Sequence, residues 1–532
     1  MSDKLYLSDG ACIEPLVSEW YAWPFMIAPA QAGLTMRNHL MRILESFTQA
    51  PDLHREAAKN PAMKGGPFMD FDGSVAQVEG LIQRMRTRDK PLLDLAAAIE
   101  TFGTALQAGA DGGSITPWYD KLPKELSGLV ELGYDINNVP SMRLIEGLIY
   151  KSEYFDRSRQ SLMFSHGHAD ERSFVLSTPR LAAEDEPVAN IAFDSPLVDR
   201  LAAFRTDGGL SGHVDDILDH VDRPADRDRL RGLFHREAPP QHAERNFRGD
   251  GVRVRYFGHA TVLFETAEVA VLTDAVVSYP VRTGIDRYTH HDLPDHIDYV
   301  LLTHTHQDHV SIETLLQLRS RIGTIVVPPS NGQIQDPSLK AMLNAIGFRN
   351  VVELAEMDTI DIPGVGQIIG APFLGEHGDL HVMSKIGFYI DLKGKRFLCV
   401  ADSNNVQPEI YDRFNKAVGG VDYLFMGMEC EGAPMSWLYG PLLRKKMERK
   451  HDQARRLNGS DFEGAYRLVE SVSPEEVFVY AMGQEPWLTY LSSIVYTPQS
   501  KPIIESDKLV KKCQEVGIGA ERLFGQKALL AA

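Results

Sequence analysis

From Val252 onward the chain is punctuated by short runs in which apolar residues are continuous or alternate with polar ones: VRVRYFG, TVLFET, VAVLTDAVV, DYVLLTH, TIVVPP, QIIGAPFL, IGFYIDL, RFLCVAD, DYLFMG and VFVYAMG. Runs of this length and grain predict strands. Between them, SIETLLQLRSRI and PSLKAMLNAIG repeat apolar residues three and four apart, as helices lying on a sheet do. This half is therefore expected to be a strand-rich α/β domain with helices packed outside its sheets. The first half has a different texture. MRNHLMRILESFTQ (36–49) and GSVAQVEGLIQRMRTR (73–88) read as amphipathic helices, whereas SFVLSTPRL and VANIAFDSP read as short strands, which together predict an α+β domain. The charged stretch HREAPPQHAERNFRGDG (235–251), with its paired prolines, reads as a linker and places the domains at 1–247 and 248–532. Past Gln499 the pattern predicts one helix, SDKLVKKCQEVG, and a frayed tail.

Composition narrows the function. At 532 residues, 43% apolar and 24% charged, the chain is that of a globular protein with a sizeable core. A net charge of −18 argues against a general binder of nucleic acid or anionic membrane. The N-terminus lacks a basic segment followed by an apolar one, and no stretch approaches 18 uncharged apolar residues, so a cytoplasmic protein without a membrane span is expected. Four cysteines without a CxxC argue against a thiolate zinc site or a redox pair. A metal, if bound, would use histidine and carboxylate.

The chemistry concentrates in DYVLLTHTHQDHVSIETL (298–315). A buried strand, Tyr299 to Thr303, delivers His304, His306, Asp308 and His309 into the turn that opens a helix near Ser311. Just past a strand end, alternate residues His304 and His306 can point the same way, while the turn carries Asp308 and His309 to a neighbouring point. Four metal-capable side chains within six residues suit a two-metal site better than a polar loop.

This stretch resembles the HxHxDH signature of the metallo-β-lactamase fold superfamily. GHATVLFET (258–266) resembles that family's opening hairpin, VLTDAVVS places Asp274 after the next strand, and LCVADSN places Asp402 after a later one. The resemblance covers about residues 252–500 and implies an αββα sandwich with metals at one sheet edge, Asp402 bridging them and Asp274 in support.

Two departures then bear on the metal. Where the superfamily places a further His ligand, PFLGEHGDLH offers Glu376 and His377 side by side; extended neighbours point oppositely, so one of the two is expected to face the metals. Where the hydrolases supply a last His after a late strand, VFVYAMGQEPW (477–487) has none. His451, in what reads as a solvated helix, and Glu485 are the remaining candidates there, and neither is expected to bind. The expected ligands are His304, His306, Asp308, His309, Glu376 and Asp402, a carboxylate-rich set that suits non-haem iron. The GEHGD loop, the missing last His and the large N-terminal domain together resemble the diiron β-hydroxylases of nonribosomal peptide pathways. That resemblance implies O2-dependent β-hydroxylation of an aminoacyl thioester on a peptidyl carrier domain, two Fe ions, an external electron donor protein and a homodimer formed through the N-terminal domain. It also implies catalytic roles for Glu376 and Asp402, with His304, His306 and Glu376 on one iron, Asp308 and His309 on the other, and Asp402 between them. The alternative is a hydrolase of a thioester, lactone or phosphoester using two Zn ions, which an inward-pointing His377 would favour.

Other features read more plainly. SHGHADE (165–171), with His166, His168 and Asp170, imitates part of the motif but is expected to be a surface turn. Tyr288, His290 and His291 are expected to be hydrogen-bonded loop residues, PGVGQIIG (363–370) a turn, and Trp437 and Tyr439 core packing. Between Arg444 and Arg456, seven basic residues (Arg444, Lys445, Lys446, Arg449, Lys450, Arg455, Arg456) face two acidic ones (Glu448, Asp452). This run is either a solvated helix face or a docking patch for an acidic carrier domain.

Overall fold

In the computed structural model, which describes residues 4–531 except 61, 62, 64, 168, 173, 174, 240–243 and 282, the apolar runs after Val252 form two seven-stranded sheets. The first has the order Val351–Glu353, Ile322–Val327, Ile297–Leu301, Ala270–Thr273, Thr261–Glu265, Val252–Gly258, Lys527–Ala531. Its strands from Ala270–Thr273 to Val351–Glu353 are parallel, and the remaining pairs are antiparallel. The second has the order Thr359–Ile362, Gly366–Ala371, Gly387–Leu392, Lys395–Cys399, Tyr423–Gly427, Glu476–Tyr480, Gly519–Arg522. Val254, Phe264, Ile390, Phe397, Phe425 and Phe478 belong to the apolar layer between the sheets. The helices Pro408–Val418, Phe462–Val472 and Lys501–Glu515 contribute to the core outside the second sheet, and Ile312–Leu318 to that outside the first. The result is the expected αββα sandwich.

All seven residues of Ile312–Leu318 are buried, because the N-terminal domain packs against the face turned away from the sheet. Burial on every side leaves Glu313 without water, and a buried carboxylate persists only with partners. Arg172 provides two, at 2.7 and 2.8 Å, and the hydroxyls of Tyr21 and Tyr279 donate at 2.7 and 2.6 Å. Arg172 and Tyr21 precede the linker, so this cluster joins the two halves of the chain.

The N-terminal half is α+β, with helices Met41–Gln49, Val75–Arg88 and Lys90–Gly109 and a four-stranded sheet. Two of its expected strands differ. In SFVLSTPRL, Ser173 and Phe174 lie outside the described residues and 175–181 contain no strand. VANIAFDSP pairs only at Val188–Ala189, because Ser195 and Pro196 start a helix, the Ser195 hydroxyl accepting from the Leu197 amide. The tail differs more. After its helix it adds Gly519–Arg522 to the second sheet and Lys527–Ala531 to the first, pairing with edges that would otherwise be open. No described helix is long and apolar enough to cross a membrane.

Removing the residues after Gly525 strips Lys527–Ala531 from Val252–Gly258 and bares a strand edge. The truncated chain is expected to melt at lower temperature and to scatter light on heating, measured by a thermal scan with simultaneous turbidity. An unchanged melting curve would contradict a structural role for the tail.

Candidate metal centre

Strand Ile297–Leu301 has a parallel neighbour on each side, so its backbone groups are engaged and the chain leaves the sheet just beyond it. Asp274, fully buried after the adjacent strand, fixes where it goes. One carboxylate oxygen accepts from the Thr303 amide at 2.8 Å, and the other accepts from the Thr303 hydroxyl at 2.7 Å and lies 2.9 Å from His309 Nδ1. With Nδ1 donating to Asp274, His309 presents Nε2 to the site. There it meets Asp402 Oδ2 at 3.0 Å, and His304 Nε2 lies 3.9 Å from the same oxygen.

Asp402 follows strand Lys395–Cys399 through Ala401, which has a positive φ of 43°. Gly427 on the neighbouring strand passes so close that a Cβ there would stand 2.7 Å from the Ala401 carbonyl and 3.0 Å from Asp402 Oδ1. Only glycine leaves that carboxylate its place. On the other side, Lys385 bridges to His304, and the Ile386 amide donates to the Thr303 carbonyl at 2.8 Å, so the second sheet's connections reach the HxH segment directly.

Glu376 lies 3.1 Å from His306 Nδ1, through Oε1. The reason differs from the expected alternation. Gly375, Glu376 and Gly378 have φ of 61°, 65° and 57°, so the loop coils and Glu376 and His377 are not extended neighbours. Both are buried, and His377 Nδ1 is 2.8 Å from Glu376 Oε2. His306 Nε2 lies 3.1 Å from the Tyr439 hydroxyl, which leaves Nδ1 for the site.

Three groupings have ligand atoms within 4.8 Å of one another: His304, His306 and Glu376; His304, His309 and Asp402; and His259, Asp308 and His309. The structure thus brings together all six sequence-derived candidates and adds His259. His377 belongs to none of these groups. Burial opposes charge on His309, yet Asp402 and Asp274 raise its pKa well above the imidazole range. Burial pushes His304 well below that range, helped by His309, His306 and His377. Glu376 and Asp308 pay a burial cost too, but neighbouring imidazoles, His306 and His377 for the first, His259 and His309 for the second, hold both carboxyls below their ordinary range. Glu429 is pushed well up by burial and by Asp402, Asp308 and Glu376. His304 Nε2 and Asp402 Oδ1 are buried without a hydrogen-bond partner, at about 1–3 kcal/mol each if left so. Unpartnered donor atoms in a negative pocket fit metal ions, and the mixture of imidazole and carboxylate fits iron.

The centre opens on a cavity of about 480 Å³, with His306, Asp308, Glu376 and Asp402 in its wall. Trp20, Trp23, Met26 and Leu40 of the N-terminal domain form another part of the wall, and Glu429, Trp437 and Arg456 a third. The sequence reading missed the N-terminal residues and, between pocket wall and core for Trp437, favoured the core; the structure puts it in the wall. Tyr439 is buried as expected and also touches His306. Glu485 is not at the centre: the Tyr256 hydroxyl donates to it at 2.5 Å. His451 is exposed. His166 is exposed, Asp170 pairs with Arg287 at 2.5 Å, and His168 lies outside the described residues. Tyr288, His290 and His291 do not line the cavity. Of PGVGQIIG, expected to be a turn, only residues 363–365 turn, between Thr359–Ile362 and Gly366–Ala371; residues 366–370 already belong to the second of these strands.

Residues 6–239 match the family model for the diiron non-haem β-hydroxylase N-terminal domain, and residues 270–453 match a β-lactamase superfamily domain. The 4-amino-L-phenylalanyl-[CmlP-peptidyl-carrier-protein] 3-hydroxylase of Streptomyces venezuelae is 36% identical over 532 residues, covering 98% of this chain and 99% of that protein. The crystal structure of CmlA, a diiron β-hydroxylase from Streptomyces venezuelae, is similar with a TM-score of 0.92 at 34% identity, covering 99% of each chain. A CmlA mutant gives 0.90 at 34% identity, covering 99% of this chain and 100% of that one.

The two neighbours in the coiled loop can be separated by substitution. Glu376→Ala is expected to lose one of two bound metals, and His377→Ala to keep both, read by metal analysis after gel filtration. The reverse pattern would transfer the ligand role to His377.

Proposed function

The chain belongs to the family of diiron non-haem β-hydroxylases, and from that premise we propose that it hydroxylates the β-carbon of an aminoacyl group held as a thioester on a peptidyl carrier domain, using O2 and two electrons from an external donor protein. The observation that carries this reading is the donor set gathered beside the cavity: His304, His306 and His309 with Asp308, Glu376 and Asp402, three imidazoles and three carboxylates, and no further histidine just after the late strand Glu476–Tyr480.

In this reading His304, His306 and Glu376 would hold one iron, Asp308 and His309 would hold the other, and Asp402 would be shared by the two. Bound there, the iron pair supplies the redox chemistry of O2 activation, which amino-acid side chains cannot. The protein's own residues position and exclude. Asp274 fixes the ring of His309, and Tyr439 fixes that of His306. Trp20, Trp23 and Met26 give the cavity an apolar wall that would limit the water around a bound substrate. A volume of about 480 Å³ accommodates an amino-acid side chain together with the thioester end of a pantetheine arm. As part of the same proposal, the reaction is assigned to the cytoplasm.

Protein as isolated is expected to contain about two irons per chain and to convert a carrier-bound aminoacyl thioester only with O2 and a reductant. Two equivalents of zinc supporting ester hydrolysis, without O2-dependent turnover on iron, would replace this reading with the hydrolase.

The carrier's approach generates a second prediction. Lys445, Lys446, Arg449 and Lys450 are exposed, and Gln453 and Arg456 of the same segment line the cavity. A positive rim on a chain of net charge −18 would steer an acidic carrier face toward that opening. Replacing those four residues with Glu is expected to slow carrier association and flatten its salt dependence, with the optical spectrum of the metal centre unchanged. Stopped-flow association at several ionic strengths reads this; unchanged rates at low salt would remove the docking role.

A further inference from the structure

The third cluster contains one residue with no role so far. His259 is at the tip of the opening hairpin, buried, with φ at 52°, just after Gly258 at 105°. Its carbonyl accepts from the Ala481 amide at 2.9 Å, and its Nδ1 accepts from the Gly483 amide at 3.1 Å. Both donors lie immediately past the late strand, where the hydrolases of this fold would present their last histidine. Its ring is 4.9 Å from that of His309, and Nε2, buried without a hydrogen-bond partner, faces Asp308 Oδ2 at 3.4 Å.

Proximity alone would make His259 a metal ligand. The hydrogen bond at Nδ1 decides otherwise. A backbone amide only donates, so Nδ1 must offer its lone pair, and the proton of a neutral ring then resides on Nε2. A protonated Nε2 cannot coordinate a metal, but it can donate to a carboxylate. Moving the proton to Nδ1 would free Nε2 and set two N–H groups against each other at Gly483.

We propose that His259 is a positioning residue for the second metal site: clamped at Nδ1 by the Gly483 amide, it holds Asp308 through Nε2–H and does not itself bind metal. The proposal rests on the two-metal reading given above. It also gives the missing late-strand histidine a counterpart, since the backbone at that place secures an imidazole from another hairpin instead of supplying one.

The test compares His259→Gln, whose side-chain amide keeps a donor near the position of Nε2, with His259→Leu, which fills the space without one. Anaerobic titration of metal-free protein with Fe(II) against a chelator reads each equivalent separately. His259→Leu is expected to weaken one equivalent about 10–100-fold, leave the other unchanged and alter the optical spectrum, and His259→Gln to stay close to wild type. Equal loss in both variants, or loss in neither, would overturn the proposal. Circular dichroism checks folding, and a crystal structure of the iron-loaded wild type needs no variant: Nε2 at bonding distance from a metal overturns the assignment, whereas Nε2 on Asp308 and clear of both metals supports it. Iron-loaded protein with only one metal per chain would instead bring down the two-metal reading, and the titration detects that before any variant is made.

Discussion

Protons alone cannot satisfy the charges buried at the end of the two sheets. His304 and His309 have ring centres 4.1 Å apart, yet burial and neighbouring imidazoles push one far below its usual range while two carboxylates pull the other far above it. Glu429, a short way along the wall, is pushed up by burial and by the same crowd of carboxylates. A site so divided against itself favours cations at the points where imidazole and carboxylate atoms converge, and the surrounding fold is organised to keep those points fixed. The energetic stakes are set by burial, because each unpartnered polar atom costs far more in the interior than at the surface.

Fixing the points is the work of strand ends. Asp274 follows Ala270–Thr273, the HxHxDH segment follows Ile297–Leu301, the Glu376 loop follows Gly366–Ala371, Asp402 follows Lys395–Cys399, and Glu429 follows Tyr423–Gly427. Hydrogen-bonded strands from both sheets therefore deliver these groups to one edge, where short connections have little freedom left. The connections pay in backbone conformation: Asp274, Glu376 and Ala401 all have positive φ. Such strain persists only where the surroundings over-determine it, and here the surroundings include Gly427, whose missing side chain is the space Asp402 occupies.

Legibility in the sequence followed contiguity. HxHxDH is six consecutive residues between a strand and a helix, and the apolar runs around it are long enough to read as strands without tertiary information. Short or exposed strands were not: Val351–Glu353, Thr359–Ile362 and the two in the tail carry too few buried residues to show a period. Glu376 was singled out by resemblance, and the structure puts it 3.1 Å from His306; the expectation that Glu376 and His377 point oppositely as extended neighbours does not hold in the left-handed loop. His259 went unread because one histidine in a hairpin has no local signature; its meaning comes from Gly483, 224 positions away. The N-terminal wall was invisible for the same reason, since nothing within Trp20 or Trp23 names the candidate ligands opposite.

That wall divides labour between the halves of the chain. The side chains that gather at the metal centre come from the sandwich, whereas much of the cavity wall above them belongs to a separate apolar core that also takes in Met435 and Tyr439. Substrate preference and metal chemistry can thus vary on different surfaces, so long as the shared core is respected. Tyr439 sets the limit to that freedom. Phe25 lies edge-on to its ring, and its hydroxyl touches His306, so a change in the lining that shifts Phe25 is transmitted through one phenol to a candidate ligand. Reshaping the pocket for another ligand is accordingly a problem of two coupled tolerances: the fit of the new occupant, and the orientation of a candidate ligand imidazole.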